Sequence, residues 1–228
     1  MSRVSYRIAV FVAAALIGVG SLAACGETEE STGPVEAPNV PATVETVGEP
    51  QPTSTPRELW KKGMMPYLYQ IDPQWSATPY SGGELAKQGC GPTALDMVYI
   101  YLTGDTTYDP AGMAEFATKN GYSTDQNGSS WELMTSGAEK LGIKGTSIGA
   151  SADELRAELE AGRPVICVMA PGTFTEVGHY IVLERLDADG QAVVHDSNSV
   201  GHSMRTWSLD LISSEATAAW SFTVPQAS

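Results

Sequence analysis

Apolar and polar positions follow different rules in three stretches of the chain. Ile8 to Gly20 is uncharged and mostly apolar. From Gly26 to about Pro56 apolar side chains thin out among Pro, Glu, Thr, Ser, Val and Gly, and no aromatic residue occurs. Beyond Glu58 the apolar positions become periodic. Ala94, Leu95, Met97, Val98, Tyr101 and Leu102 fall at helical spacing behind Pro92, and Gly104 ends the run. Asp109-Pro110 predicts a second helix, with Asp as cap and Pro in the first turn. Ser129 with Glu132, and Ser151 with Glu154, match the capping box and predict helices running to about Leu141 and Ala161. Upstream of these, 66–71 reads as extended, 72–75 as a turn and 81–83 as a glycine-containing loop.

The second half changes period. Pro164 to Met169 is a continuous apolar run, and His179 to Leu186 and Gln191 to Asp196 read as strands about an Asp-Ala-Asp-Gly turn at 187–190. Met204 to Leu209 and Trp220 to Val224 read as two more. Helices followed by strands on tight turns predict an α+β fold with an antiparallel sheet.

Strand parity predicts which side chains meet. With a four-residue loop at 187–190, residue 186 faces 191 and residue 179 faces 198. His179 then shares a face with Ile181 and Leu183, and across the pair with Val194, Asp196 and Asn198. His195 and Ser197 point the other way with Tyr180. Asp196 becomes a diagonal neighbour of His179. An odd loop or a bulge would bring His195 round instead.

The first two stretches add an address. Arg3 and Arg7, the apolar run and Leu22-Ala23-Ala24-Cys25 have the anatomy of a secretory signal, too short for an ordinary membrane-spanning helix. LAAC resembles the bacterial lipobox, which implies cleavage after residue 24 and a lipid on Cys25. Residues 1–24 are thus expected as signal, 25–57 as a disordered spacer reaching about 30 Å, and 58–228 as the folded domain. The expected location is the extracytoplasmic face of a membrane, contacted through the lipid alone. A net charge of −14 argues against nucleic acid or anionic headgroups as partners.

With Cys25 assigned to lipid, Cys90 and Cys167 remain. One disulfide between them stays open on sequence grounds. Their settings differ: Cys167 sits in the apolar Val165–Met169 run, whereas Cys90 sits in Gly89-Cys90-Gly91-Pro92, just before the predicted helix. A helix start favours negative charge and lowers a thiol's pKa. The flanking glycines would let a substrate backbone approach. Cys90, His179 and Asp196 therefore form a candidate set of nucleophile, base and orienter, with Asn198 as a spare orienter. A metal site of His179, His195, Asp196 and His202 is the rival; parity splits those ligands between faces, and no metal-type spacing appears. No cofactor or metal is expected. Trp75, Trp131 and Trp220 are candidates for a groove, or for core.

Several strings together resemble cysteine peptidase family thirty-nine, whose founding members trim double-glycine leaders from bacteriocins, and in particular its stand-alone exported relatives. They are Gln70-Ile71-Asp72-Pro73-Gln74-Trp75, Gly89-Cys90-Gly91-Pro92-Thr93-Ala94-Leu95-Asp96-Met97-Val98, Gly162-Arg163-Pro164-Val165-Ile166, Gly178-His179-Tyr180-Ile181-Val182-Leu183 and Val194-His195-Asp196-Ser197-Asn198-Ser199. The resemblance spans about Pro66 to Trp220 in order. It implies a papain-like fold, with Cys90 as nucleophile, His179 as base, Asp196 as orienter and Gln70 as oxyanion donor. Gln88, two residues before Cys90, is the nearer alternative to Gln70. Asp-Ser-Asn stands where the family more often has Asp-Pro-Asn. No attached transporter is expected, so bacteriocin leaders are not the implied substrate. The expected activity is hydrolysis of peptide or amide bonds in a peptide or protein substrate, through a thioester, by a monomer. A cell-wall amidase, a transglutaminase-like acyl transferase and a non-catalytic binding domain are the alternatives.

Overall fold

The computed structural model describes residues 52–125 and 127–225. The expected signal, the lipidated Cys25 and most of the expected spacer lie outside them. The last residues of that spacer are packed. Ser54 donates its N–H to Asp72 Oδ2 at 2.7 Å, Thr55 donates to the Tyr67 carbonyl at 2.8 Å, and Trp60 Nε1 donates to the Thr55 carbonyl at 2.7 Å. The ordered chain therefore begins ahead of residue 58.

A small hairpin, β1 (Pro79–Tyr80) and β2 (Gly83–Glu84), leads through α1 (Leu85–Gln88) into α2 (Cys90–Thr103). Gly91 through Ile100 in α2 are all buried, so this is a core helix with little polar face. Gly104, at φ 74°, closes it by donating to the Ile100 carbonyl at 2.8 Å. The next helix, α3 (Pro110–Lys119), starts as its sequence demands: Asp109 Oδ1 accepts from Gly112 N–H at 2.8 Å.

The helix predicted from Ser129 does not form as one piece. A 3₁₀ turn at Trp131–Met134 precedes a short α4 (Ser136–Lys140). The Ser129 hydroxyl is instead 2.6 Å from Tyr80 Oη, so the cap is spent on a tertiary contact. The second capping box does form: Ser151 Oγ accepts from Glu154 N–H at 3.3 Å at the head of α5 (Ala152–Glu160).

The rest builds one antiparallel sheet in the order β3-β8-β4-β5-β6-β7. Its strands are β3 (Lys144–Ile148), β4 (Val165–Met169), β5 (His179–Leu186), β6 (Ala192–Asp196), β7 (Thr206–Trp207) and β8 (Ala216–Thr223). Sequence gave no signal for β3, whose Lys-Gly-Thr-Ser-Ile string is mostly polar and exposed. Of the stretch expected as a strand at 204–209, only Thr206–Trp207 is strand, between the short helices α6 (Val200–Ser203) and α7 (Leu209–Glu215).

Side-chain alternation splits the interior into two cores. Ile166, Tyr180, Val182 and Trp220 face α2 and its neighbours. Val165, Cys167, Ile181, Leu183 and Val194 face α5 and α7 on the other side. Mixed helices over an antiparallel sheet, with the helix that carries Cys90 on one face, give the expected α+β, papain-like arrangement.

Candidate active site

The β5–β6 hairpin positions His179 and Asp196 by two departures that cancel. Leu186 pairs with Ala192, so the loop at 187–191 is odd-numbered, contrary to the four-residue expectation. A bulge between Leu183 and Arg185 then takes up one residue on β5. Beyond it the pairs are Leu183 with Val194, Val182 with His195 and Ile181 with Asp196, the register first deduced. Asp196 thus reaches its diagonal neighbour: Asp196 Oδ1 lies 2.7 Å from His179 Nε2. His195 stays on the other face, 2.8 Å from Glu184 Oε2 and stacked on Tyr67. It does not join the site.

Cys90 is the first residue of α2, not the one before it. Cys90 and His179 line the same cleft. With Nε2 on Asp196, the ring atom left for sulfur is Nδ1. Burial would raise the thiol's pKa, but the His179 hydrogen bond and charge, with backbone N–H groups of Tyr180 and Gly91, bring it below the ordinary value. Burial would likewise discharge His179, yet its bonds and charge interactions with Asp196 and Cys90 raise it above the usual histidine range. Asp196 is 1 % exposed; burial opposes its charge, but His179, His202 and the Asn198 N–H hold its pKa below the ordinary carboxylate value. These shifts favour a thiolate beside an imidazolium.

The flanking glycines serve packing rather than substrate approach. A β-carbon on Gly89 would lie 2.5 Å from Leu85 Cδ1 and 2.6 Å from its carbonyl oxygen. One on Gly91 would lie 2.6 Å from Ser129 Oγ.

The chemistry opens into a cleft of about 380 Å³ lined by Gln88, Cys90, Trp131, Val177, Gly178 and His179, among others. Trp131, 52 % exposed, forms part of the wall and meets Trp220 edge-on at 5.6 Å. Trp75 and Trp220 are buried core. Lys87 brings a positive charge to the rim.

A family model, Peptidase_C39 like family, matches residues 64–228. The chain belongs to that family. It is a cysteine peptidase. Among solved structures, the peptidase domain of Streptococcus ComA, a bi-functional ABC transporter involved in a quorum sensing pathway, is similar at 22% sequence identity and a TM-score of 0.46. That match covers 61% of this chain and 93% of that one. No curated protein matches.

One expected residue of this C39-like peptidase is placed elsewhere. Gln70, expected as the oxyanion donor, is 3 % exposed and is not among the residues that line the cleft. Its Nε2 donates to the Ala86 carbonyl at 2.9 Å, and its Oε1 accepts from Ser197 Oγ at 2.7 Å. The Ala86 carbonyl admits only a donor, which fixes the amide's orientation. Its main-chain N–H donates to the Ser197 carbonyl at 2.8 Å. Gln70 thus braces the end of β6 against the turn that delivers Cys90. Gln88, the alternative, lines the cleft.

Cys90 and Cys167 are both free thiols. Cys167 faces the α5 and α7 core while Cys90 packs against the other, so the sheet separates them. Burial pushes the Cys167 thiol up to about 12, which leaves it inert. Sequence reasoning used His202 only as a metal ligand. Its Nδ1 lies 2.7 Å from Asp196 Oδ2. Its placement six residues after the acid, behind a serine cap at Ser199, was a signal that the hairpin argument did not use.

Proposed function

We propose that this peptidase works outside the cytoplasm, held to the outer face of a membrane by a lipid on Cys25, and cleaves peptide or amide bonds through a Cys90 thioester. The observation that carries the catalytic part is His179, bonded to Asp196 at 2.7 Å and sharing the wall of an open cleft with Cys90. The Leu22-Ala23-Ala24-Cys25 string behind an apolar run supports the anchor.

The Cys90 proton passes to His179 Nδ1 and the thiolate attacks the substrate carbonyl carbon. Negative charge gathers on the carbonyl oxygen. The Cys90 N–H, at the start of α2 where the first N–H groups lack helical partners, and the Gln88 amide are its donors. His179 returns the proton to the leaving nitrogen, the C–N bond breaks and a thioester remains. Water, losing a proton to His179, then attacks the thioester and releases the acid and the thiol. Asp196 holds the imidazole so that Nδ1 faces sulfur throughout. The substrate class is peptide or protein, and the enzyme acts as a monomer.

Alkylation by iodoacetamide across pH tests the site. Cys90 should react below pH 7 faster than a free thiol, and peptide profiling of extracellular proteins and peptidoglycan should show products lost with Cys90→Ala. An ordinary thiol rate together with unchanged products would sink the reading. Palmitate labelling of wild type against Cys25→Ser tests the anchor, and equal incorporation would overturn it.

A further inference from the structure

Of the two imidazoles outside the three-residue set, one reaches Asp196. Asp196 divides its carboxylate between two histidines: Oδ1 accepts from His179 Nε2 at 2.7 Å and from the Asn198 N–H at 2.8 Å, while Oδ2 accepts from His202 Nδ1 at 2.7 Å. We infer that His202 is a positioning residue of the catalytic machinery, which fixes the plane of Asp196 and sets how firmly that carboxylate holds His179. The inference rests on the Cys90–His179–Asp196 reading above.

The geometry supports a built contact rather than a passing one. A carboxylate rotates in a broad torsional well, so one engaged oxygen leaves it free to swing and two do not. The His202 ring is itself clamped. Phe174 and Trp207 meet it edge-on, each at 5.4 Å. Its main-chain N–H donates to Ser199 Oγ at 3.1 Å, and its carbonyl accepts from Trp207 Nε1 at 2.9 Å. Asp196 is anchored too, its N–H donating to Ser203 Oγ at 2.9 Å. Phe174 belongs to the loop that ends at Gly178 on the cleft, so the same loop seats the ring and delivers His179.

An ionised carboxylate only accepts, so the His202 Nδ1 that meets it carries a hydrogen.

The test is the pH profile of Cys90 alkylation by iodoacetamide in the full-length protein, for wild type, His202→Phe and His202→Asn. Phe keeps a ring but removes the donor; Asn keeps a donor near the Nδ1 position and cannot be protonated. With His202→Phe the midpoint should rise by about one pH unit, costing about tenfold in rate at pH 6. The His202→Asn profile, with the donor kept, should match wild type. A His202→Phe profile identical to wild type would overturn the inference, as would identical profiles for the two variants, which mean packing alone. Both outcomes leave a fast wild-type thiol and the catalytic reading intact. A wild-type thiol no faster than a free one would instead bring down that reading, and this inference with it.

Discussion

A β-carbon on Gly91 would stand 2.6 Å from Ser129 Oγ and 2.9 Å from Ser129 Cβ. Ser129 cannot retreat easily, because its hydroxyl bonds Tyr80 Oη at 2.6 Å and both residues are buried. Gly91→Ala should therefore destabilise the fold by about 1–3 kcal/mol, the usual cost of overpacking. Ser129→Gly added to Gly91→Ala should recover part of that loss. Urea unfolding of the four-member cycle measures it, and strictly additive effects would disprove the contact.

The imidazole makes the thiol acidic, so its removal has a definite sign. His179→Ala takes away the imidazole that lowers the Cys90 thiol and leaves the burial that raises it. The alkylation midpoint should move to higher pH, past that of a free thiol. A midpoint unmoved or lowered would show that the helix start alone makes the thiolate.

The two glutamines should separate stability from turnover. Gln88→Ala should cut turnover about 100-fold, as loss of one oxyanion donor does, with the melting temperature unchanged. Gln70→Ala breaks a buried brace and should cost about 1–3 kcal/mol of stability. The reverse pattern, a stable Gln70→Ala protein with crippled turnover, would restore Gln70 as the donor.

Asp96 supplies a stability prediction with a pH sign. It lies fully buried in α2, and neither carboxylate oxygen has a hydrogen-bond partner among the described residues. Burial, then the charge of Asp109, raises its pKa well above the ordinary 3.8, against a smaller pull from Arg57. Above pH 3.8 the unfolded chain has lost this proton while the folded chain keeps it. Unfolding free energy therefore falls as pH rises, by at most about 1.4 kcal/mol per unit, until the folded group titrates. Asp96→Asn removes that slope. Urea unfolding at pH 4 and pH 8 should show the variant gaining on wild type at the higher pH, and parallel losses would refute it.

Much of the site could be read from the sequence because its logic is local. A glycine-bounded cysteine before a proline-led helix, and a strand pair of fixed parity, both depend on neighbours a few residues apart. Where the reading erred, a distant partner decided. Ser129 matched a capping box, but Tyr80 took its hydroxyl. Gln70 matched a family string, but Ala86 and Ser197 took its amide. The hairpin came out right in part by cancellation: the loop was one residue longer than supposed, and a bulge at Glu184 removed the error before His179. The strand β3 has no apolar alternation to betray it, because only Gly145 in it is buried.

The sheet that parts Cys90 from Cys167 also governs what oxidants can do. Cys90 has no internal thiol within reach among the described residues, and Cys167 is sealed at 0 % exposure. Oxidation of Cys90 can then stop at a sulfenic acid or at a mixed disulfide with a small thiol entering through the cleft, both of which reductants reverse. On the mechanism proposed above, such oxidation would silence the enzyme and reduction would restore it.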